Sequence, residues 1–165
     1  MYYSRGNHEW GLDDVYREAV KATGAVLLEN EWTKFGDAWI GGQNSARCGA
    51  KYKDGKEITG NCGEPDIEWL KNDTPDGYRV LLNHHPEYYS LIEPYADLIL
   101  CGHTHGSQAV VFGRGLFAPG QGWFPKYTKG VYHDNKMIVS AGLTNTTWVP
   151  RINNPTELVI VEVSP

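Results

Sequence analysis

A chain of 165 residues with 41% hydrophobic and 21% charged residues has the size and composition of one globular domain with a real core, which excludes a disordered or fibrous chain. The formal net charge of -5, with no long Lys/Arg run, argues against DNA or RNA as a main partner. No apolar run approaches the roughly 20 residues of a membrane span, and the first residues lack the charged and apolar regions of a signal peptide. Three cysteines, Cys48, Cys62 and Cys101, cannot all pair within one molecule, so a reducing compartment is the default and a cytoplasmic location follows from it.

Met1 to Arg5 is short and β-prone and runs into Gly6-Asn7-His8-Glu9, a strand end delivering a loop of polar groups. Asp13 and Asp14 open a helix to Ala22, with Val15, Ala19 and Ala22 at spacings of four and three and Gly24 as its stop. It reads as a surface helix lying on a sheet. Ala25 to Glu29, Trp32 to Phe35 and Ala38 to Gly41 read as short strands, the last two joined through Gly36-Asp37. The Gly-, Asn- and Lys-rich stretch from Gln43 to Gly63 reads as a long loop, and Pro65 with Ile67, Trp69 and Leu70 marks a second short helix.

Tyr78 to Leu82 and Asp97 to Cys101 are strands of the buried kind, separated by a helix-length segment around Tyr88 to Tyr95. This βαβ pattern implies parallel pairing. Beyond them the chain becomes Gly- and Pro-rich, with β-type runs at Met137 to Ser140 and Leu158 to Val163. No internal repeat or low-complexity tract is present.

Five of the six histidines fall into three clusters, each at or just after the carboxyl end of an expected strand, where α/β sheets place their ligand sites. A lone histidine is as often a satisfied core or surface residue; three clusters at three strand ends favour a site. His103 and His105 lie two apart beside Gly102 and Gly106, so an extended backbone points both imidazoles to one side. His84-His85-Pro86 offers a further imidazole, and adjacent strand residues face opposite ways, so one of the two serves as ligand. Asn7 can give an amide oxygen, and His8 beside it can act as a general acid.

Gly6-Asn7-His8-Glu9, the strand-end His84 and Gly102-His103-Thr104-His105, in that order, resemble the last three motifs of the calcineurin-like metallophosphoesterase family. Ser140 to Leu143 and Arg151 to Glu157 also resemble the ending of its bacterial subfamily with a GHTHGGQ-type motif, from which Ser107 departs at the second glycine. The resemblance implies an α/β fold, a two-sheet β sandwich flanked by helices (α/β/β/α), with residues 1–165 forming the C-terminal part of one such domain. It implies metal-dependent hydrolysis of phosphate mono- or diesters at a site that normally holds two divalent ions (Mn, Fe, Zn or Ni), a metal-bound hydroxide attacking phosphorus. By position, Asn7, His84 and His103 would bind one metal and His105 the other, while His8 would protonate or orient the leaving group. His85 would be a pocket wall or solvent-exposed.

The family's Asp-x-His and Gly-Asp-x-x-Asp motifs, which precede the Asn-His motif and supply carboxylates, have no counterpart here. The expectation is therefore a chain that lacks its first βα units, tends to aggregate, binds at most one metal and hydrolyses weakly; an anchor to a membrane could precede it. The rival reading is a non-catalytic fragment that binds one ion at most. Asp13 and Asp14 read as helix-start residues rather than ligands.

Other residues carry weaker signals. Free loop thiols are favoured for Cys48 and Cys62 over pairing or metal binding, and Cys101 reads as packing. Arg151 reads equally as a bidentate phosphate contact and as a surface arginine tying down the last strand. Trp123, Phe124, Tyr127 and Trp148 read as a substrate wall or, more commonly, as core. A small phosphate ester is the expected partner; the oligomeric state is open.

Overall fold

The computed structural model describes residues 1–9, 13–45, 48–53, 56–144 and 150–164, with only the backbone described over 48–53 and 56–62. In chain order the elements are β1 (Tyr2–Ser4), α1 (Asp14–Ala22), β2 (Val26–Leu28), β3 (Glu31–Phe35), β4 (Ala38–Gln43), β5 (Cys48–Lys53), β6 (Lys56–Cys62) and α2 (Glu68–Asp73). They continue with β7 (Tyr78–Asn83), α3 (Tyr89–Ile92), β8 (Leu98–Cys101), β9 (Ala109–Val111), β10 (Arg114–Ala118), β11 (Gly122–Trp123), β12 (Gly130–Tyr132) and β13 (Met137–Val139).

The apolar runs of β7 and β8 pair in parallel, as their βαβ pattern implies, with Val80 opposite Leu98 and Leu82 opposite Leu100. They form the middle of a six-stranded sheet ordered β12-β13-β8-β7-β4-β3, in which β4, β7, β8 and β13 run parallel and the two outer strands antiparallel. A separate parallel pair, β1 with β2, a three-stranded antiparallel sheet β11-β10-β9, and the hairpin β5-β6 complete the architecture. The fold is α/β, several β-sheets flanked by few helices. Leu70, Leu81, Ile92, Ile99, Met137 and Val139 are fully enclosed and join α2 and α3 to the sheet. Burying a side chain of this size contributes about 1.5–3 kcal/mol.

Helix α1 starts where its carboxylates place it. Asp13 is the N-cap, its Oδ1 accepting from Tyr16 N at 3.3 Å, and Asp14 pairs with Arg17 at 2.9 Å. The expected stripe is not its inner face, however. Val15, Ala19 and Ala22 are exposed, and Tyr16, Arg17 and Val20 turn toward the protein, with the Tyr16 hydroxyl on that of Tyr3 at 2.7 Å and Arg17 on Glu29 at 3.0 Å. A polar anchor outweighs the alanines, which bury too little area to choose a face.

Two expectations about strands are corrected. The stretch from Gln43 to Gly63 contains a β-hairpin, β5 with β6, with Cys48 in register with Cys62. Leu158 to Val163 forms no strand: the run is exposed, with Leu158 78% and Ile160 89% accessible, because no neighbouring strand among the described residues offers it a ladder. The chain before it is tied to β9 at residue 152, where Val110 N donates to Ile152 O at 2.9 Å. Among the described residues no helix is long and apolar enough to cross a membrane.

Candidate metal centre

Two histidines meet because two strands do. β7 and β8 end level with each other, and Gly102 N donates to His84 O at 3.1 Å just past their ends. His84 and His103 therefore emerge side by side, with ring centroids 5.1 Å apart. Asn7, in the turn after β1, places its Oδ1 between them, 2.9 Å from His84 Nε2 and 3.3 Å from His103 Nδ1.

Gly6 is required for this approach. A Cβ there would lie 3.0 Å from His84 Cε1 and 2.9 Å from Glu9 Oε2, the carboxylate that accepts from Gly6 N at 2.7 Å and closes the turn. The backbone beyond β8 is also unusual: His103, His105, Gly106 and Ser107 all have positive φ, at 66°, 51°, 66° and 68°. Side chains other than glycine adopt this region at a cost of about 1 kcal/mol or more each, and such strain gathers at sites. It also gives physical meaning to Ser107, which occupies a left-handed position suited to glycine and gains in return a hydrogen bond from its Oγ to Phe117 O at 3.1 Å.

Burial keeps both central imidazoles neutral. Loss of water pushes His84 down to about 3 and His103 down to about 2, with the neighbouring histidines adding repulsion. Neutral imidazole is the form that donates a lone pair to a divalent cation. His103 Nε2, on the side of the ring away from Asn7 Oδ1, is buried and has no hydrogen-bond partner among the described residues. Two neutral imidazoles and an amide oxygen converging within hydrogen-bond distance fit part of the coordination sphere of a Zn- or Mn-type ion. Among the described residues, no set of three or more His, Cys, Asp or Glu side chains is arranged to hold a metal.

The remaining expected residues sit around this trio. His8 is exposed, yet near enough to add to the repulsion on His84 and His103. The Nδ1 of His105 faces Gln108 Oε1 at 3.2 Å, and burial, partly offset by that hydrogen bond, lowers its pKa. His85 is a wall and not solvent-exposed. It is 1% accessible, its Nε2 lies 2.6 Å from Ser45 Oγ, and its ring sits 3.9 Å from that of His103 and 5.0 Å from that of Tyr88.

Arg151 ties the chain down through Nη2, which donates to Ala141 O and Thr144 O, both at 2.6 Å, while its Nε and Nη1 are buried with no hydrogen-bond partner among the described residues. Cys101 is a buried free thiol in β8, raised to about 12 by burial, so packing is its role. Tyr127 is core, whereas Trp123 and Phe124 are exposed at 72% and 74%, against the core reading for both. Trp148 and the side chains of Cys48 and Cys62 lie outside the described residues.

The sequence reading missed Glu87, whose two carboxylate oxygens are buried without hydrogen-bond partners among the described residues and lie, across Gly120, near His103. Its only sequence signal is position, three residues after the strand-end His84.

These strand-end histidines around an asparagine agree with what comparison with known proteins returns. Over 164 residues, 96% of it, the chain is 28% identical to an uncharacterized metallophosphoesterase of Aquifex aeolicus (strain VF5), of which the match covers 58%. Over 173 aligned positions, 98% of it, the chain is 30% identical to an uncharacterized metallophosphoesterase of Campylobacter jejuni, of which the match covers 41%. The chain thus spans about half the length of these curated relatives. No family model matches it, and no solved structure matches it. Over nearly its whole length the chain is thus similar to proteins named metallophosphoesterases, in line with the resemblance its motifs carry.

Proposed function

We propose that this chain carries part of the active site of a metal-dependent phosphoesterase, acting on phosphate mono- or diesters. The observation that carries the reading is the placement of Asn7 Oδ1 between His84 Nε2 and His103 Nδ1, at 2.9 and 3.3 Å. These three residues would hold one divalent ion, and His105, in the next turn of chain, would face a second. When bound, such ions polarise phosphoryl oxygens and acidify water.

The chain's own groups supply the rest. His8, exposed next to Asn7, would give a proton to the departing ester oxygen. Arg151, whose Nε and Nη1 have no hydrogen-bond partner among the described residues and which has electrostatic influence on His105, is the candidate for meeting a phosphate oxygen. The tight packing around His84 and His103 keeps both rings neutral and oriented without any metal, so little reorganisation is needed on binding.

A second reading has its own support: since no set of three or more His, Cys, Asp or Glu side chains among the described residues is arranged to hold a metal, the chain would bind one ion at most and turn over nothing. Hydrolysis of p-nitrophenyl phosphate and of its bis ester with added Mn2+ separates the two, because only the first reading expects turnover. His8→Ala should lower turnover with metal content kept, and His103→Ala should lower both. Equal metal loss in the two variants would refute this division of roles.

A further inference from the structure

On the far side of His103 from Asn7, three polar atoms converge without hydrogen bonds. His103 Nε2 and both carboxylate oxygens of Glu87 are buried and have no hydrogen-bond partner among the described residues. Gly120 separates them: a Cβ built on it would stand 2.6 Å from His103 Nε2 and 3.2 Å from Glu87 Oε1, and its φ of +75° is a further reason for glycine. The other oxygen, Oε2, lies 3.7 Å from His85 Nδ1, and the His85 ring lies against that of His103.

We propose that Glu87 is a positioning residue for His103, accepting a hydrogen bond from its Nε2–H directly or through one water, so that Nδ1 keeps its lone pair for a metal. The physical case has two parts. First, a neutral imidazole has one proton and two nitrogens, and the partner of one nitrogen decides which tautomer is present. Asn7 Oδ1, 3.3 Å from Nδ1, would favour the proton there, where it would block metal binding. Glu87 is the acceptor on the opposite side that pulls it to Nε2. Second, carboxylates without partners are costly to bury, and an N–H aimed into the same small space removes that cost for both groups. Gly120 is the residue that leaves this space open. Carboxylate partners of this kind fix ring orientation and raise the basicity of a ligating histidine.

The proposal rests on the reading of Asn7, His84 and His103 as metal donors, and the test separates the two. In the metal-free, nitrogen-15-labelled chain, long-range proton–nitrogen spectra of the histidine rings should show His103 protonated at Nε2. In Glu87→Gln the population should shift toward Nδ1, and Zn2+ affinity, read by chelator competition, should fall 10- to 100-fold. Glu87→Asp should recover part of both. A merely structural role would lower Tm without moving the tautomer. A wild-type His103 protonated at Nδ1, or a folded Glu87→Gln with the wild-type tautomer and Zn2+ affinity, overturns the proposal; the first result needs no variant to fold. If Zn2+ leaves the His84 and His103 resonances of the wild-type chain unmoved, the metal reading fails on its own, and the tautomer still decides the role of Glu87.

Discussion

Lowering the pH should destabilise this chain well before its carboxylates protonate, because two of its histidines are held neutral by the fold. His84 and His103 are pushed down to about 3 and about 2, and in the unfolded chain both return to the ordinary value of about 6.5. A depressed histidine pKa means that the unfolded state binds more protons below pH 6.5, so stability rises with pH and is lost as pH falls from 6.5 toward the folded values. At pH 5.0 each unfolded imidazole gains roughly 2 kcal/mol from protonation that its folded counterpart does not, so the pair costs about 4 kcal/mol relative to pH 7.5. Against a total of about 5–15 kcal/mol, that is enough to unfold a marginal domain. Urea unfolding at pH 7.5 and 5.0, followed by circular dichroism, measures the effect. Repeating it with His84→Asn and His103→Asn combined removes these two groups and leaves the contributions of His105 and the carboxylates. A wild-type loss within about 1 kcal/mol of the double variant's would show that the imidazoles titrate normally, and the neutral-donor argument would fall with it.

Two further substitutions test the scaffold. Gly120→Ala drives a methyl to 2.6 Å from His103 Nε2 at a φ of +75°, so it should cost about 1–3 kcal/mol and weaken Zn2+ binding; unchanged binding would show that the ring relaxes freely. Ile99→Ala empties a fully enclosed position in the middle of β8 and should cost about 2–5 kcal/mol in urea, whereas a loss below about 1 kcal/mol would place Ile99 outside the cooperative core.

What the sequence revealed follows from how local each signal is. Strands β7 and β8 are apolar runs followed by histidines, so their parallel pairing could be read from pattern alone, whereas the choice of His84 over His85 to meet His103 came from the family motif. Asn7 was legible as an amide-oxygen donor at a strand end, but its meeting with His84 and His103 came only through the family motif, because nothing local says that β1, which pairs with β2 and not with β7, ends beside them. The β5-β6 hairpin was hidden by its glycines and lysines, although Lys51-Tyr52-Lys53 and Glu57-Ile58 do alternate. Leu158 to Val163 failed in the opposite direction: β-propensity measures fit to a pleated, half-buried surface, and the structure provides none there. Glu87 left no signal because a carboxylate looks the same in sequence whether solvated or turned inward. Only the enclosed atoms next to Gly120 reveal it.

The exposed run beyond residue 157 divides the chain into two exchange regimes. Glu157 N donates to Gly142 O at 3.2 Å and its carboxylate accepts from Ala141 N at 2.8 Å, whereas among the described residues no backbone hydrogen bond ties 158–164. Amide deuteration should therefore reach Leu158 to Val163 within the dead time of a manual experiment, while β8 and β13 stay protected up to global opening. The same row of free N–H and C=O groups, flanked by Leu158 and Ile160, is a template for pairing with another chain, and Glu162 is the single charge within it. Neutralising that charge with Glu162→Gln should make light scattering more steeply dependent on protein concentration.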